Sequence, residues 1–221
     1  MATDSQTQPR ERLRRGRVLQ TAMARADQGG LEALTMRSLA DELGVAPMAL
    51  YRHVANKDDL IDAMIDAVFS EIGLPSGGAV WKAAMRDRAI AVYDTLARHR
   101  WAIGLMESRR KPGPANLRHH DAVLGKLRAA GFSVQMAAHA YSLLDSYIYG
   151  FALTKMNLPF DASDDVADMA TGMLEPFPVN EYPNLVEFLG EHLTPGYDYG
   201  DEFAYGLELI LDGLENSRGR A

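Results

Sequence analysis

The chain has 221 residues, of which 47% are hydrophobic and 24% are charged, so it is long enough to bury a sizeable core in one large or two modest domains. It contains no cysteine, which excludes disulfides, thiolate nucleophiles and cysteine-ligated zinc. No apolar run approaches the ~20 residues that cross a bilayer. Residues 1–9 are polar, unlike a secretory signal. We therefore expect a globular, cytoplasmic protein without a membrane anchor.

Charge is distributed unevenly along the chain, whose formal net charge is −7. Residues 1–60 carry nine Lys or Arg against eight Asp or Glu, whereas residues 61–221 carry fourteen against twenty-two. Five arginines fall within eight residues and are opposed there only by Glu11: Arg10, Arg12, Arg14, Arg15 and Arg17. A DNA-binding face needs only a local basic patch, so this cluster is compatible with a nucleic-acid partner. Taken alone, it is explained equally well as the solvated start of a helix.

Helical spacing of apolar residues predicts a head of four helices at the N-terminal end. The first is expected over residues 10–28 and is ended by Gly29-Gly30. Its buried stripe is expected to consist of Leu19, Ala22, Met23 and Ala26. A second, very short helix begins after Thr35, whose side chain suits a helix cap, and ends at Gly44.

Two further helices complete the predicted head. Pro47 is tolerated in a first helical turn because its missing N–H is not needed there, so a third short helix is expected from Pro47 to about His53. Asn56 then caps a fourth helix, which continues to Ile72.

A domain boundary is predicted near residue 75, because Pro75-Ser76-Gly77-Gly78 is the best linker candidate in the chain. The domains are therefore residues 1–74 and residues 75–221. No segment shows the alternation of a β-strand, so the expected fold class is all-α. Helices of the second domain are expected over residues 81–98, 101–108, 115–130, 134–156, 164–174, 184–192 and 200–216.

Two short helices joined by a tight glycine-bearing turn, with a third packed behind them, form the arrangement that places a helix in a DNA major groove. The groove is about 12 Å wide and accepts one helix, so exposed residues after the turn reach the base edges. In this chain those residues are Pro47, Met48, Tyr51, Arg52 and His53.

Residues 34–45 (LTMRSLADELGV) and residues 49–60 (ALYRHVANKDDL) resemble the DNA-binding head of the TetR family. The resemblance implies that Tyr51 and Lys57 grip phosphates, that Arg37 contacts the backbone or a guanine, and that His53 supports a phosphate contact. Met48 and Ala49 depart from the polar residues often found on this helix, which predicts readout through thymine methyl groups and DNA shape. The complete predicted DNA-binding set is Arg14, Arg15, Arg37, Pro47, Met48, Ala49, Tyr51, Arg52, His53 and Lys57. Considered singly, Tyr51 could be an ordinary core aromatic residue, and Arg52 or Lys57 could be ordinary solvated charges.

A looser pattern runs through the second domain: Trp81, Arg86, Ala89, Leu96, His99-Arg100, Ser108-Arg109, Gly131-Phe132-Ser133 and residues 203–215. By this pattern residues 81–216 resemble the C-terminal domain of tetracycline-repressor-type proteins. This resemblance implies a helical domain for ligand binding and dimerisation, in which residues 134–156 and 200–216 form the four-helix bundle of a homodimer. The first of these segments is apolar nearly all round, as a helix covered on two sides requires. The alternative is an internal core helix in a monomer.

The same resemblance implies an effector cavity lined by the helix that begins at Trp81, the turn over residues 105–109 and the helix over residues 115–130. Carried over by position, the predicted effector residues are Arg88, Val92, Leu105, Ser108, Arg109 and Val123. Tyr147 and Met156, on the facing helix, are added to this set. Arg88 and Leu105 replace the amide and imidazole groups that hold a magnesium chelate, so a metal-bound tetracycline is not expected. His119, His120 and Asp121 are expected on the surface, because consecutive helical residues point apart and do not form a metal site.

The function expected is that of a homodimeric repressor. Its recognition helices, about 34 Å apart, fit a palindromic operator until a small-molecule effector changes that spacing. No convergent set of acid, base and nucleophile is visible, so no enzyme activity and no cofactor are expected. The alternative is an all-helical ligand-binding protein or enzyme whose first helices do not bind DNA. An activator or an effector-blind repressor remains open within the regulator class.

Overall fold

The computed structural model describes residues 14–75, 80–158, 172, 180–192 and 197–219. Within these ranges the chain forms nine α-helices and one short 3-10 helix, without a β-strand. The all-α fold class predicted from the sequence is therefore confirmed. Most of the predicted linker, and the helix predicted over residues 164–174 apart from Gly172, lie outside the described residues. None of the helices in the described ranges is both long and apolar enough to span a membrane.

The helices follow the predicted order, and most of their ends lie within a residue or two of the predicted positions. They are α1 Arg15–Ala33, α2 Met36–Leu43, α3 Pro47–Leu50, α4 Lys57–Glu71, α5 Trp81–Arg98, α6 Pro114–Ala129, α7 Val134–Asn157, α8 Pro183–His192 and α9 Asp201–Ser217, with the 3-10 helix at Arg100–Ala102.

The described residues divide into two compact units. The head unit comprises the described residues up to Gly73 together with Asp94–Asp121, and the body unit comprises Leu74–Tyr93 together with the described residues from Ala122 onward. The head unit thus includes a second segment, which the two-domain prediction assigned to the other domain. The predicted boundary near residue 75 itself stays a prediction.

The first helix is broken at Gly30, which has a φ of 70° and a ψ of 178°. Glycine takes a positive φ without steric strain, so the chain turns there and then forms one further turn to Ala33. The sequence predicted that the first helix ends at Gly29-Gly30. In the structure the helix is interrupted there and ends at Ala33. Leu19, which was predicted to be buried, is only half-buried, because α1 turns a slightly different face inward: Val18, Ala22, Met23 and Ala26.

The second helix has the ends that the sequence predicts. The Thr35 hydroxyl accepts a hydrogen bond from the Ser38 amide at 3.0 Å, and the Thr35 amide donates to the Ser38 hydroxyl at 3.0 Å. Gly44 ends the helix in the left-handed conformation with a φ of 66°, which favours glycine. The third helix is shorter than predicted, since it ends at Leu50 and the chain continues to His53 as a turn.

The fourth helix begins with a reciprocal cap, as expected for Asn56. The Asn56 side chain accepts a hydrogen bond from the Asp59 amide at 2.8 Å, and the Asp59 carboxylate accepts one from the Ala55 amide at 2.9 Å. Two backbone N–H groups at the start of α4 are thereby satisfied. This cap fixes where α4 leaves the turn that follows the third helix.

The helix predicted over residues 101–108 is wrong. The chain forms a 3-10 helix at Arg100–Ala102 and then a series of tight turns, in which the Leu105 amide donates to the Ala102 carbonyl at 2.8 Å and the Ser108 amide to the Leu105 carbonyl at 3.2 Å. Bonds to the third preceding residue tighten the chain beyond an α-helix. Gly104, a weak helix former, lies in the middle of this segment.

The prediction that His119 lies on the surface is also wrong. Its side chain is completely buried in the head unit, where its ring centroid lies 5.5 Å from that of Phe69 on α4. The first half of α6 packs this face against α4, and the buried residues Ala115 and Asn116 lie one turn earlier on the same face. His120 is half-buried, and its Nε2 atom lies 3.8 Å from a Glu107 carboxylate oxygen.

The body unit contains a cluster of stacked aromatic rings between α5, α7 and the start of α9. Tyr93 stacks on Phe203 at 4.5 Å, and Phe151 stacks on Tyr199 at 4.8 Å. The hydroxyl of Tyr147 lies 3.0 Å from the Phe203 carbonyl oxygen, to which it can donate. Rings of this kind bury large areas and prefer such offset contacts, so they hold α7 and α9 together.

A ladder of polar contacts joins α5 to α9 within the body unit. Arg86 pairs with Glu208, Lys82 pairs with Asp212, and the Trp81 indole donates to Glu215 at 2.6 Å. These contacts occupy one face of α9, and a second face is buried through Phe203, Leu207, Leu211 and Leu214.

Candidate nucleic-acid interface and effector residues

The short helix α3 presents its predicted base-reading residues to solvent. Met48 is 74% exposed and Tyr51 is 45% exposed, and Pro47 and Arg52 are exposed as well. Leu50, on the opposite side of the same turn, is fully buried and holds the helix in place. Met48 and Tyr51 are three positions apart, so the turn presents an apolar and an aromatic side chain to solvent together with the exposed Arg52.

The predicted cationic residues of the head unit are also exposed. Arg14 and Arg15 lie at the start of α1, and Arg37 lies in the first turn of α2. The head therefore offers guanidinium groups on two elements besides α3, which is what contacts with phosphates on both sides of a groove require.

Lys57 occupies the first position of α4, next to the turn that follows α3. Its ammonium donates to the Leu31 carbonyl at 3.2 Å, near the end of α1. The contact uses one of the three donors of a lysine, so the others can still reach a phosphate. Ala49 and His53 are half-buried beside this surface.

Contacts along one face of α4 bind it to the segment of residues 109–116 within the head unit. The Arg109 guanidinium pairs with Asp62, and one of its amines donates to the Asp58 carbonyl at 3.3 Å. Further along, Asp66 accepts hydrogen bonds from the Ala115 and Asn116 amides, at 2.8 and 3.0 Å. Arg109, which was predicted to bind the effector, is thus engaged with the helix that carries Lys57.

A cavity of about 560 Å³ lies beside this face of α4, between α1 and residues 111–114. It is lined in part by Asp59, Asp62 and Asp66, but each of these carboxylates already accepts hydrogen bonds from the protein. None of the predicted effector residues lines it. Its acidic groups are therefore engaged in holding α4, and its lining also includes the cationic residues Arg15 and Lys111.

The predicted effector residues divide between the two units. Leu105, Ser108 and Arg109 belong to the head unit, and Ser108 is exposed there. The other five belong to the body unit, where Arg88, Val92 and Val123 are buried and Tyr147 and Met156 are half-buried. Burial raises the pKa of the Tyr147 hydroxyl, so this residue remains a neutral hydrogen-bonding group. The grouping of all eight residues in one site stays a prediction.

Sequence reasoning missed Asp145. This residue of α7 is only 5% exposed, and its carboxylate lies 2.6 Å from the guanidinium of Arg88 on α5, which is 2% exposed. The Arg88 guanidinium also lies over the ring of Tyr141, 5.5 Å from its centroid. The available signal was that Asp145 is the one acidic residue of α7, whose other inward-facing positions are apolar. The body therefore contains a buried ion pair among apolar side chains.

These features together define a class of protein. An exposed helix after a glycine turn is held here by a capped supporting helix and flanked by arginines. This arrangement makes the chain a helix-turn-helix DNA-binding protein with a second, helical part.

Comparison with known families gives the second step of the identification. Residues 18–64 match the family of bacterial regulatory proteins called tetR, and residues 74–218 match the tetracyclin repressor-like C-terminal domain. The chain therefore belongs to the TetR family. As a member it is a DNA-binding transcription regulator that responds to a small-molecule effector and works as a homodimer.

Individual relatives are similar over nearly the whole chain. The transcriptional repressor DrrR1 of Streptomyces coeruleorubidus is 31% identical, over 94% of this chain and 79% of that protein. The class C tetracycline repressor of Escherichia coli is 29% identical, over 94% and 93% of the two chains. The solved structure of ActR of Streptomyces coelicolor with actinorhodin superposes with a TM-score of 0.78 at 29% identity, covering 95% of this chain and all of that one.

The buried pair gives a prediction for stability. Asp145→Ala leaves the Arg88 charge buried without its partner, so the free energy of unfolding should fall by about 3–5 kcal/mol. The double variant Arg88→Met/Asp145→Leu removes both charges and should lose much less. Urea unfolding at a fixed protein concentration measures both.

The matched control is Asp212→Ala, which breaks an exposed ion pair of the α5 to α9 ladder and should cost at most about 1 kcal/mol. If Asp145→Ala is no more destabilising than this control, the Arg88–Asp145 contact is not a desolvated ion pair.

Proposed function

We propose that the chain is a repressor whose dimer reads a palindromic operator through α3 and releases it when an organic effector binds within the body. The observation that carries the proposal is the exposed Met48 and Tyr51 surface on a helix whose Leu50 is buried. Two-fold symmetry places two such helices about 34 Å apart, which matches successive major grooves. The protein acts in the cytoplasm as a regulator and not as an enzyme.

Base reading and phosphate binding fall to different residues in this proposal. Arg37, Tyr51 and Lys57 hold phosphates and fix the register of the head on the duplex. Met48 and Ala49 carry no hydrogen-bonding groups, so they read thymine methyl groups by apolar contact. Specificity then depends on methyl positions and on DNA shape more than on bidentate hydrogen bonds.

The first test is selection of bound sites from a random DNA pool, which should return an inverted repeat. On the selected operator, Lys57→Ala should weaken binding to all sequences about equally and should lower the slope of log K against log salt by about one, because one phosphate contact is lost. Titrations at several salt concentrations measure this slope.

Lys82→Ala is the matched control, because Lys82 lies on α5 in the body unit and should leave the slope unchanged. A pool without an inverted repeat contradicts the palindromic operator. A Lys57→Ala protein with an altered base preference and an unaltered salt slope contradicts the assignment of Lys57 to the backbone.

The dimer surface is proposed on the solvent-exposed sides of α7 and α9. Tyr205 and Leu209 on α9 are 68% and 58% exposed, although the other two faces of this helix are buried or paired within the chain. On α7, Leu143 and Leu153 are exposed with small residues between them. Two such helices from each protomer form an isologous four-helix bundle with close backbone approach.

Leu209→Glu should convert the dimer to a monomer, because two like charges would meet in an apolar interface related by two-fold symmetry. Sedimentation at micromolar concentration measures the mass, and a DNA titration should show that operator binding is lost with the dimer. The control is Leu124→Glu, a similarly exposed leucine on α6. A Leu209→Glu protein that stays dimeric contradicts this interface.

The effector is proposed to be an organic molecule with aromatic rings and a hydrogen-bonding group, bound inside the body. Rings of Tyr93, Tyr147 and Phe203 give a surface for stacking, and Arg88 with Asp145 gives a polar anchor among apolar residues. A relative's solved complex with actinorhodin supports an organic effector of this kind. A ligand that prefers the non-binding conformation shifts operator affinity by about 5- to 150-fold.

A ligand panel that begins with actinorhodin, screened by thermal shift and followed by operator titration, tests this proposal. At least one hit should raise the unfolding temperature and lower operator affinity. The double variant Arg88→Met/Asp145→Leu, which leaves no buried charge unpaired, should weaken that hit without changing operator affinity in its absence. Hits that stabilise the protein but leave operator affinity unchanged contradict the coupling between effector and DNA.

A further inference from the structure

His99 is held between two carboxylates in the head unit. It follows the last residue of α5, and its side chain is 7% exposed. The Nδ1 atom lies 2.7 Å from an Asp27 carboxylate oxygen on α1, and the Nε2 atom lies 3.1 and 3.2 Å from the two Glu71 oxygens at the end of α4. One ring therefore links two helices of the DNA-binding head.

The two carboxylates that contact this ring also accept hydrogen bonds from other side chains. The Trp101 indole donates to the same Asp27 oxygen at 2.7 Å, and Arg98 donates to Glu71 at 3.1 Å. Arg100, the next residue of the chain, is exposed. Burial opposes ionisation of Glu71, but hydrogen bonds from Arg98 and His99 outweigh it and hold the pKa of Glu71 below its usual value. Glu71 is therefore charged throughout the pH range in which histidine side chains titrate.

The geometry suits one protonation state of the ring. A neutral imidazole has a single N–H, whereas an imidazolium has two, one on each nitrogen. With a carboxylate at each nitrogen, only the imidazolium donates to both helices. When the proton is lost, one nitrogen presents a lone pair to a carboxylate oxygen, and one of the two links is broken.

Two connections between α1 and α4, one through Lys57 and one through His99, set the orientation of α4 in the head. Lys57 joins α4 to the end of α1 beside the recognition surface, through the Leu31 carbonyl. His99 joins α4 to α1 at the opposite end of α4, through Glu71 and Asp27. Two links at opposite ends of α4 fix its angle to α1, and α4 begins immediately after the turn that follows α3.

We propose that His99 is a positioning residue for operator binding. As an imidazolium it donates hydrogen bonds to Asp27 on α1 and Glu71 on α4, a pair of contacts that we call the clasp. When the ring loses a proton, one of these contacts is broken and α1 and α4 are held less firmly. The inference rests on the proposed DNA-binding function. A head held in its binding orientation loses less freedom on binding DNA, so operator affinity falls when the ring loses a proton and one of the two links is broken. The expected loss is about tenfold, the scale of one charge-assisted hydrogen bond.

The test compares operator titrations from about pH 5 to pH 8.5, the window in which histidine changes charge. Wild-type affinity should fall by about tenfold across the window, whereas His99→Gln, which cannot donate to both carboxylates, should bind weakly and lack this fall. His99→Arg keeps a cation with several donors at every pH, so it should bind tightly and also lack the fall. A pH dependence that all variants share belongs to other ionisable groups, such as His53 beside the DNA-binding surface. His192→Gln is the matched control, because His192 pairs with one carboxylate in the body unit, and it should keep the wild-type profile.

A DNA-free measurement separates this proposal from the function on which it rests. The ¹⁵N shifts of the His99 ring should show two protonated nitrogens at low pH and one at high pH, and Asp27→Asn should make the ring lose its proton at lower pH. If no DNA is bound at any pH, the proposed function fails while these shifts still report the clasp. If His99→Gln keeps the wild-type pH profile, or if the ring is neutral throughout, the clasp is overturned.

Discussion

A helix of four residues has too few backbone hydrogen bonds to persist alone, since isolated helices shorter than ~12 residues are marginal in water. The recognition helix α3 is such a helix, so the surface that meets DNA depends on its anchoring. Leu50 and Val54 bury their side chains completely, Gly44 sets the turn before it, and the Asn56 cap fixes the helix after it. Met48 can be largely exposed because other residues supply the stability. Specificity can therefore change at Met48 without loss of the fold.

Because α3 depends on its neighbours for stability, the position of α4 matters, and α4 makes many polar contacts within the head unit. It carries the cap that positions α3, and it is acidic on the faces that meet other parts of the head unit. Asp62 and Asp66 meet a guanidinium and the first amides of α6, and Glu71 meets His99. Contacts of this kind are directional and are either made or broken. The segment of residues 98–116 therefore holds α4 through specific polar partners, and α4 begins immediately after the turn that follows α3.

The sequence was informative wherever a local pattern determines the outcome. Caps at Thr35 and Asn56, the glycine turn and the long helix α7 all follow from neighbours within a few residues. Two failures lie at glycines, and two others are tertiary. The helix expected over residues 101–108 gives way to turns, and the break at Gly30 leaves room for one more turn of α1. His119 is buried because α4 covers it, and Asp145 is matched by a residue fifty-seven positions earlier on α5. The helical periodicity of apolar residues along the sequence does not show which helix will cover a given side chain or which distant residue will pair with it.

The division of charge between head and body has a consequence for selectivity. Residues 74–93 and 122–221, which contain the described body unit, carry eight Lys or Arg against sixteen Asp or Glu. Part of that excess lies in the α5 to α9 ladder, where Glu208 and Asp212 are paired with cations. Ion pairs on a surface lower the local field but leave the net charge, so the body still repels phosphates at distances within the Debye length of about 8 Å. Non-specific binding to DNA depends almost entirely on charge, whereas specific binding adds base contacts and shape. An acidic body therefore weakens attachment to random DNA more than attachment to the operator, and the few arginines of the head suffice because the correct site supplies the remaining affinity.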